Sequence, residues 1–275
     1  LLMYIYLIIV LIIFVSYYLF PKIKTFYLKR HRKNTIEKFK EICNTVELNM
    51  NKEDSMKVCQ KKIEHRYTIE LHRRVPNTDI MDEVPVDKIM EQINKKFKVD
   101  SKLNKDIIPL YKQGKVEEFF YGKHPFLPYE KLYIGFLQKQ NFGYLLEKKK
   151  DKYTKRIYVN TMDFNLNTIF PKILAEKLHM VIPNQILQPK HIYKYDDGND
   201  KPISCYIGIN NKYNIKNIME VLTRILEVLE IKKEIIEEAN DHMENYKDNS
   251  CYWLGLTNKY GEYFATIYYD TLFTA

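Results

Sequence analysis

The hydrophobic pattern opens with an unbroken run. Residues 1–20, LLMYIYLIIVLIIFVSYYLF, hold no charge, no Gly and no Pro. At 1.5 Å per residue a helix of this length spans roughly 30 Å, the thickness of a bilayer's hydrocarbon core. Tyr4 and Tyr6 toward one end and Tyr17 and Tyr18 toward the other suit interfacial aromatic belts, and Pro21 stops the run. A cleaved signal peptide would carry a positive leader and a small-residue cleavage site, and neither is present. The run predicts an uncleaved transmembrane signal-anchor.

Beyond residue 33 the periods change. Asn34 is placed to cap a helix carrying Ile36, Phe39, Ile42 and Val46, and Asn51 a second one carrying Met56, Cys59 and Ile63. Together they predict a helical stalk over 34–64. Tyr67, Ile69 and Leu71 then alternate with polar residues, the period of a half-buried strand over 65–75. Pro85 precedes an apolar stripe of Val86, Ile89, Met90, Ile93 and Phe97, which predicts an amphipathic helix. Residues 101–130 show no period, being interrupted by Pro109, Gly114, Gly122, Pro125 and Pro128, and FFYGKHPFLPYE reads as an ordered aromatic loop.

From 131 onward KLYIGFLQ, FGYLLEK and KRIYVN read as strands, followed by a helix over 166–180. HIYKYDD and PISCYIGI are the next strands. Asn214 caps a helix with Ile215, Ile218, Met219, Leu222, Ile225, Leu226 and Leu229 on one face; a second helix carries Ile235, Ile236, Ala239, Met243 and Tyr246. CYWLGLT and EYFATIYY flank the turn Asn258-Lys259-Tyr260-Gly261. Hairpins separated by helices predict an α+β domain over 65–275, a mainly antiparallel sheet with helices packed on one face.

Composition narrows the class. The chain has 275 residues, 45% hydrophobic and 14% aromatic, too apolar for a disordered polymer, and its 4 Cys are too sparse for a disulfide-built scaffold. Cys43, Cys59, Cys205 and Cys251 have no C-x-x-C or metal-ligand spacing and read as free thiols; with the body in an oxidising compartment, Cys43 with Cys59 and Cys205 with Cys251 would be the first bridges to test. Only seven of the 44 basic residues are Arg, which with the abundance of Asn, Ile and Tyr indicates coding in a low-GC genome, as in low-GC bacteria, protists and many large DNA viruses.

The net charge of +9 is concentrated next to the run. Residues 21–33 supply Lys22, Lys24, Lys29, Arg30, Arg32 and Lys33 and no acid. By the positive-inside rule the body faces the cytoplasm, and this basic juxtamembrane collar would lie against anionic lipid headgroups. The concentration leaves the body nearly neutral and weakens a nucleic-acid reading. Helices over 217–248 are acidic, with Glu220, Glu227, Glu230, Glu234, Glu237, Glu238, Asp241 and Glu244, a solvent-facing side that could also meet a basic protein partner.

No phosphate-binding Gly loop, nucleophile elbow or paired-His metal motif occurs, and no cofactor is indicated. Asp196, Asp197, Asn199 and Asp200 crowd a turn, but the twelfth position counted from Asp196 is Ile207 where a calcium loop needs Glu, so a solvated hairpin turn is expected. Tyr recurs with Lys or His on the strands KLYIG, KRIYV, HIYKY and EYFATIYY, which would line one sheet face with cations and phenols. The element order over 131–275 resembles that of the aromatic prenyltransferases built from repeated α-β-β-α units. The resemblance implies a barrel in which cations hold a diphosphate and Tyr rings shield a carbocation.

The sequence thus supports first a single-pass membrane protein whose α+β body is a structural or interaction module. The alternative is a membrane-tethered enzyme on a lipid-like or phosphorylated substrate, with Lys155, Arg156, Tyr158, His191, Tyr193, Lys194 and Tyr195 as the first candidates for its site. A nucleic-acid binder comes third.

Overall fold

The strands organise as hairpins, and the last one shows why. Tyr260 and Gly261 both adopt positive φ, 56° and 85°, the geometry of a tight primed turn whose twist matches that of the strands it joins. They connect β9 (Cys251–Lys259) to β10 (Glu262–Tyr269). The same arrangement recurs in β1 (Asn49–Cys59) with β2 (Lys62–Arg74), β3 (Glu118–Lys123) with β4 (Tyr129–Phe136), β5 (Phe142–Lys149) with β6 (Lys152–Thr161), and β7 (Leu187–Asp196) with β8 (Ser204–Ile209). This computed structural model describes residues 20–46, 48–74, 84–125, 127–136 and 141–269.

Every strand pairs antiparallel with its neighbour in sequence, and β1 pairs with β10, Met56 opposite Ile267 and Val58 opposite Ala265. The sheet is therefore a closed barrel of ten strands among the described residues. Closure leaves no sheet edge exposed. The expectation of a mainly antiparallel sheet with helices on one face left closure unspecified: local hairpin patterns are the same in open and closed sheets, and the β1–β10 pairing that decides between them joins residues about 210 positions apart.

The helices surround the barrel. They are α1 (Phe20–Val46), α2 (Val86–Phe97), α3 (Ser101–Tyr111), α4 (Lys172–Val181), α5 (Ile215–Val228) and α6 (Lys233–Glu244). Two apolar layers lie between helices and barrel. One joins Ala175 and Leu178 of α4, Ile218, Leu222 and Ile225 of α5, and Ile236 and Met243 of α6 to Cys205, Ile207, Leu254, Leu256 and Ile267. The other joins Phe39 and Ile42 of α1, Ile89 and Ile93 of α2, and Leu103 and Ile107 of α3 to Ile69, Leu71, Phe119, Tyr121, Leu132 and Leu146. Each fully buried Leu or Ile contributes about 1.5–3 kcal/mol. The start of α5 follows directly from sequence: Asn214 and Asn217 exchange side-chain and backbone hydrogen bonds in a reciprocal cap.

Other expectations are corrected. Most of the expected membrane span, residues 1–19, lies outside the described residues. Among the described residues no helix is long and apolar enough to cross a membrane, which overturns the reading of a single-pass anchor with a cytoplasmic body. Residues 21–33 belong to α1, a helix of 27 residues whose later turns bury Phe39 and Ile42. Of the basic collar Arg30 and Lys33 are exposed, and the side chains of Lys22, Lys24, Lys29 and Arg32 lie outside the described residues. The second stalk helix is instead strand β1, and the aperiodic region 101–130 contains α3 and β3. Asp100 caps α3 by accepting from the N–H groups of Lys102 and Leu103, and Pro109 falls in its last turn, two residues before the helix ends. All four cysteines are free.

Candidate functional site in the barrel lumen

Alternation along the strands separates two faces. Residues that pack against helices, such as Tyr193, Cys205, Leu254 and Ile267, occupy one parity; the other parity points into the barrel. The lumen therefore receives Phe120 of β3, Lys131 and Tyr133 of β4, Glu147 of β5, Arg156 and Tyr158 of β6, Lys194 and Asp196 of β7, Tyr206 of β8 and Tyr268 of β10.

These side chains form two levels. Around the middle runs an aromatic belt. Phe120 stacks on Tyr133 with ring centroids 4.7 Å apart, Tyr133 meets Tyr158 edge-on at 6.0 Å, Tyr158 lies 5.8 Å from Tyr206, and Tyr206 lies 5.8 Å from Tyr268. From β4 to β10 the rings come from alternate strands. The strands between them carry Gly143, Lys194 and Gly255 at this level, opposite Tyr158, Tyr158 and Tyr206 respectively. Small neighbours let the rings lie along the wall: a Cβ at Gly255 would stand 3.1 Å from the Tyr206 ring. Tyr158, Tyr206 and Tyr268 sit within the barrel yet keep some accessible surface.

The second level, toward the hairpin turns, is ionic. Arg156 is held between Glu147 and Asp196, its Nε 3.2 Å from Asp196 Oδ1. Tyr129 donates to Glu147 over 2.7 Å. Lys131 pairs with Glu70, both buried, and Lys57 lies 3.9 Å above the ring of Phe264 and 4.0 Å from Glu64. Ser204 and Thr257 share a hydrogen bond of 2.7 Å.

Where the levels meet, Lys194 Nζ donates to Tyr206 Oη at 3.0 Å. Burial raises the Tyr206 phenol. The Lys194 ammonium and its hydrogen bond, a hydrogen bond with Tyr268 and the Arg156 guanidinium outweigh that and bring it down to about 8. Tyr158 goes the other way: burial and the charge on Tyr206 push it well above the ordinary phenol range.

Of the sequence candidates, Arg156, Tyr158 and Lys194 converge in the lumen and the other four do not. Lys155, one residue from Arg156, is on the outer face, 3.7 Å from Asp197 and over the Tyr144 ring. His191 is buried under the segment after β6, stacked on Phe164 at 4.8 Å. Burial lowers its pKa, and its Nδ1 has no hydrogen-bond partner among the described residues. Tyr193 ties that same segment down by hydrogen bonds to the backbone of Asn165, and Tyr195 packs in the outer core. Nothing in the sequence pattern singles out Glu147 or Tyr206, and Asp196, which the pattern assigns to a solvated turn, is the last residue of β7 and points inward at Arg156. The acidic residues of α5 and α6 are exposed on the far side of these helices.

No family model matches the sequence, and no curated protein matches it. Solved structures do. The chain is similar to the NotF prenyltransferase, with a TM-score of 0.51 and 10% sequence identity over 80% of each chain. AnaPT from Neosartorya fischeri gives a TM-score of 0.49 and 12% identity over 80% of this chain and 78% of that one. At this identity the NotF match shows a shared barrel fold.

Proposed function

We propose that the chain is an enzyme that takes a phosphate ester of the allylic diphosphate class into the barrel lumen and transfers its hydrocarbon group to an acceptor. The observation that carries this is the juxtaposition of Lys194 with the rings of Tyr158 and Tyr206. A cation beside aromatic faces offers one molecule a place for an anionic head and a place for a developing carbocation. The barrel's likeness to that of a prenyltransferase supports the same chemistry.

In the proposed step the C–O bond of the ester breaks and its electron pair leaves with the diphosphate, whose charge Lys194 offsets. The electron-poor carbon lies against the π faces of Tyr158 and Tyr206. The acceptor supplies the electron pair for the new bond and gives up a proton. Arg156 is already paired with Glu147 and Asp196, so its task is to shape the charged floor of the lumen and to bias Tyr206.

The test is diphosphate release by the full chain with dimethylallyl, geranyl and farnesyl diphosphates, each with an aromatic acceptor such as indole or a phenol. Release dependent on acceptor, falling about 10²-fold in Lys194→Met, is the expected result. Release by none of the three would overturn the proposal.

A further inference from the structure

Transfer to an aromatic or hydroxyl acceptor leaves one proton to be removed, and the lumen holds a group built to take it. We propose that Tyr206 is the proton-accepting group of the lumen and that Lys194 is its positioning residue. This deepens the function proposed above and rests on it for its substrate.

The geometry is specific. Tyr206 Oη receives the Lys194 Nζ hydrogen bond at 3.0 Å and also shares hydrogen bonds with the phenols of Tyr158 and Tyr268, a set of donors that favours negative charge on this oxygen. Lys194 stands directly opposite Tyr158, and its ammonium also lies 5.2 Å from the Tyr206 ring centre. The charged and titratable groups facing Tyr206 can be named strand by strand. They are Lys194 from β7, Arg156 and Tyr158 from β6 and Tyr268 from β10; β9 contributes Gly255 and Thr257, which carry no charge. Two cations, then, face a phenol with no carboxylate among its neighbours on these strands, because Glu147 and Asp196 are turned to Arg156. Both carboxylates are thereby spent on an ion pair, which makes them poorer proton acceptors than the phenolate. Accessible surface on Tyr206 places it within reach of a lumen ligand.

In the balanced step the acceptor's proton passes to Tyr206 Oη, giving the neutral phenol, as the new carbon bond forms and the diphosphate leaves with the electron pair of the broken C–O bond. Release of that proton to solvent resets the site. Lys194 keeps its own proton throughout.

The experiment is a spectrophotometric titration of the full chain at 295 nm, where phenolate absorbs, on wild type, Tyr206→Phe and Lys194→Met, each checked for fold by circular dichroism. Tyr206→Phe retains the ring and removes only the oxygen. One phenol half-ionised near pH 8 in the wild type, missing in Tyr206→Phe and shifted upward in Lys194→Met, is the expected pattern. An early-titrating phenol that persists in Tyr206→Phe, or none at all, overturns the assignment whatever the diphosphate assay gives. Should the titration hold while no allylic diphosphate is turned over, the transfer reading alone falls, and Tyr206 stands as a base in a lumen of other substrate. Where turnover is seen, its acid limb should track the same phenol and vanish in Tyr206→Phe with at least a tenfold loss of rate.

Discussion

Gly143 of β5 lies beneath the ring of Tyr133 of β4: a Cβ at position 143 would come within 2.6 Å of Tyr133 Cζ and 2.7 Å of the carbonyl oxygen of Ile134. Neither neighbour can yield cheaply, since one is backbone and the other belongs to the aromatic belt. Gly143→Ala is therefore expected to push Tyr133 off the wall and toward the barrel axis. The cost should be about 1–3 kcal/mol, and thermal unfolding will show it as a drop of several degrees. The variant should also bind lumen ligands less well than its loss of stability alone explains.

Arg156 holds two carboxylates. Arg156→Met would remove the guanidinium that Glu147 and Asp196 share, leaving only Lys259, 3.9 Å from Asp196, as a cation beside them, and breaking one side of a buried pair costs about 3–5 kcal/mol. Denaturant unfolding of the single variant should show a loss of that size. Adding Glu147→Gln should restore part of it; a double variant no more stable than the single would mean that Arg156 acts through something other than charge.

His242 gives the protein an acid-side slope. It packs at 4.1 Å on the ring of His65 and shares a hydrogen bond of 2.9 Å with Tyr269 Oη. Burial and then the charge of His65 lower its pKa from 6.5 to about 4. Since the unfolded chain binds the extra proton between those values, stability is full above pH 6.5 and falls as pH drops toward about 4. Discounted for its partial exposure, the slope attributable to this residue should be on the order of 1–2 kcal/mol. The difference between wild type and His242→Gln, measured by urea unfolding from pH 7 to pH 4, should show it.

The thiols divide by position. Cys205 and Cys251 are buried beneath the helices, and burial pushes both up to about 12. Cys43 and Cys59 are half-buried. A thiol reagent at pH 8 should label the second pair in the native protein and reach the first only in denaturant. Labelling of all four at one rate would contradict the packing around β8 and β9.

Much of this architecture was legible where one side of an element faces water. The apolar stripe and Asn cap of α5 and the turn Asn258-Lys259-Tyr260-Gly261 stand where the periods put them. Legibility failed where both sides are buried. In β3 the run Phe119-Phe120-Tyr121 sends Phe119 and Tyr121 to the helices and Phe120 to the lumen, so no alternation survives and a strand looks like a loop. The candidate site failed by the same parity: Lys155 and Arg156 are neighbours in sequence and on opposite faces of the sheet. Tyr206 lay hidden in the apolar string PISCYIGI, and it is the register of the β7–β8 hairpin, Lys194 opposite Ser204 and Ile192 opposite Tyr206, that sets it diagonal to Lys194. The initial run of residues 1–20 drew the eye to a membrane, yet among the described residues no helix is long and apolar enough to cross one.

The central claim is that the lumen accepts an anionic head beside an aromatic wall, and calorimetric titration of the full chain with farnesyl thiolodiphosphate, an unreactive analogue, tests it most directly. The account predicts binding at one site, weakened at least tenfold in Lys194→Met, a change of about 1.4 kcal/mol. No measurable binding, or binding indifferent to Lys194, would contradict it.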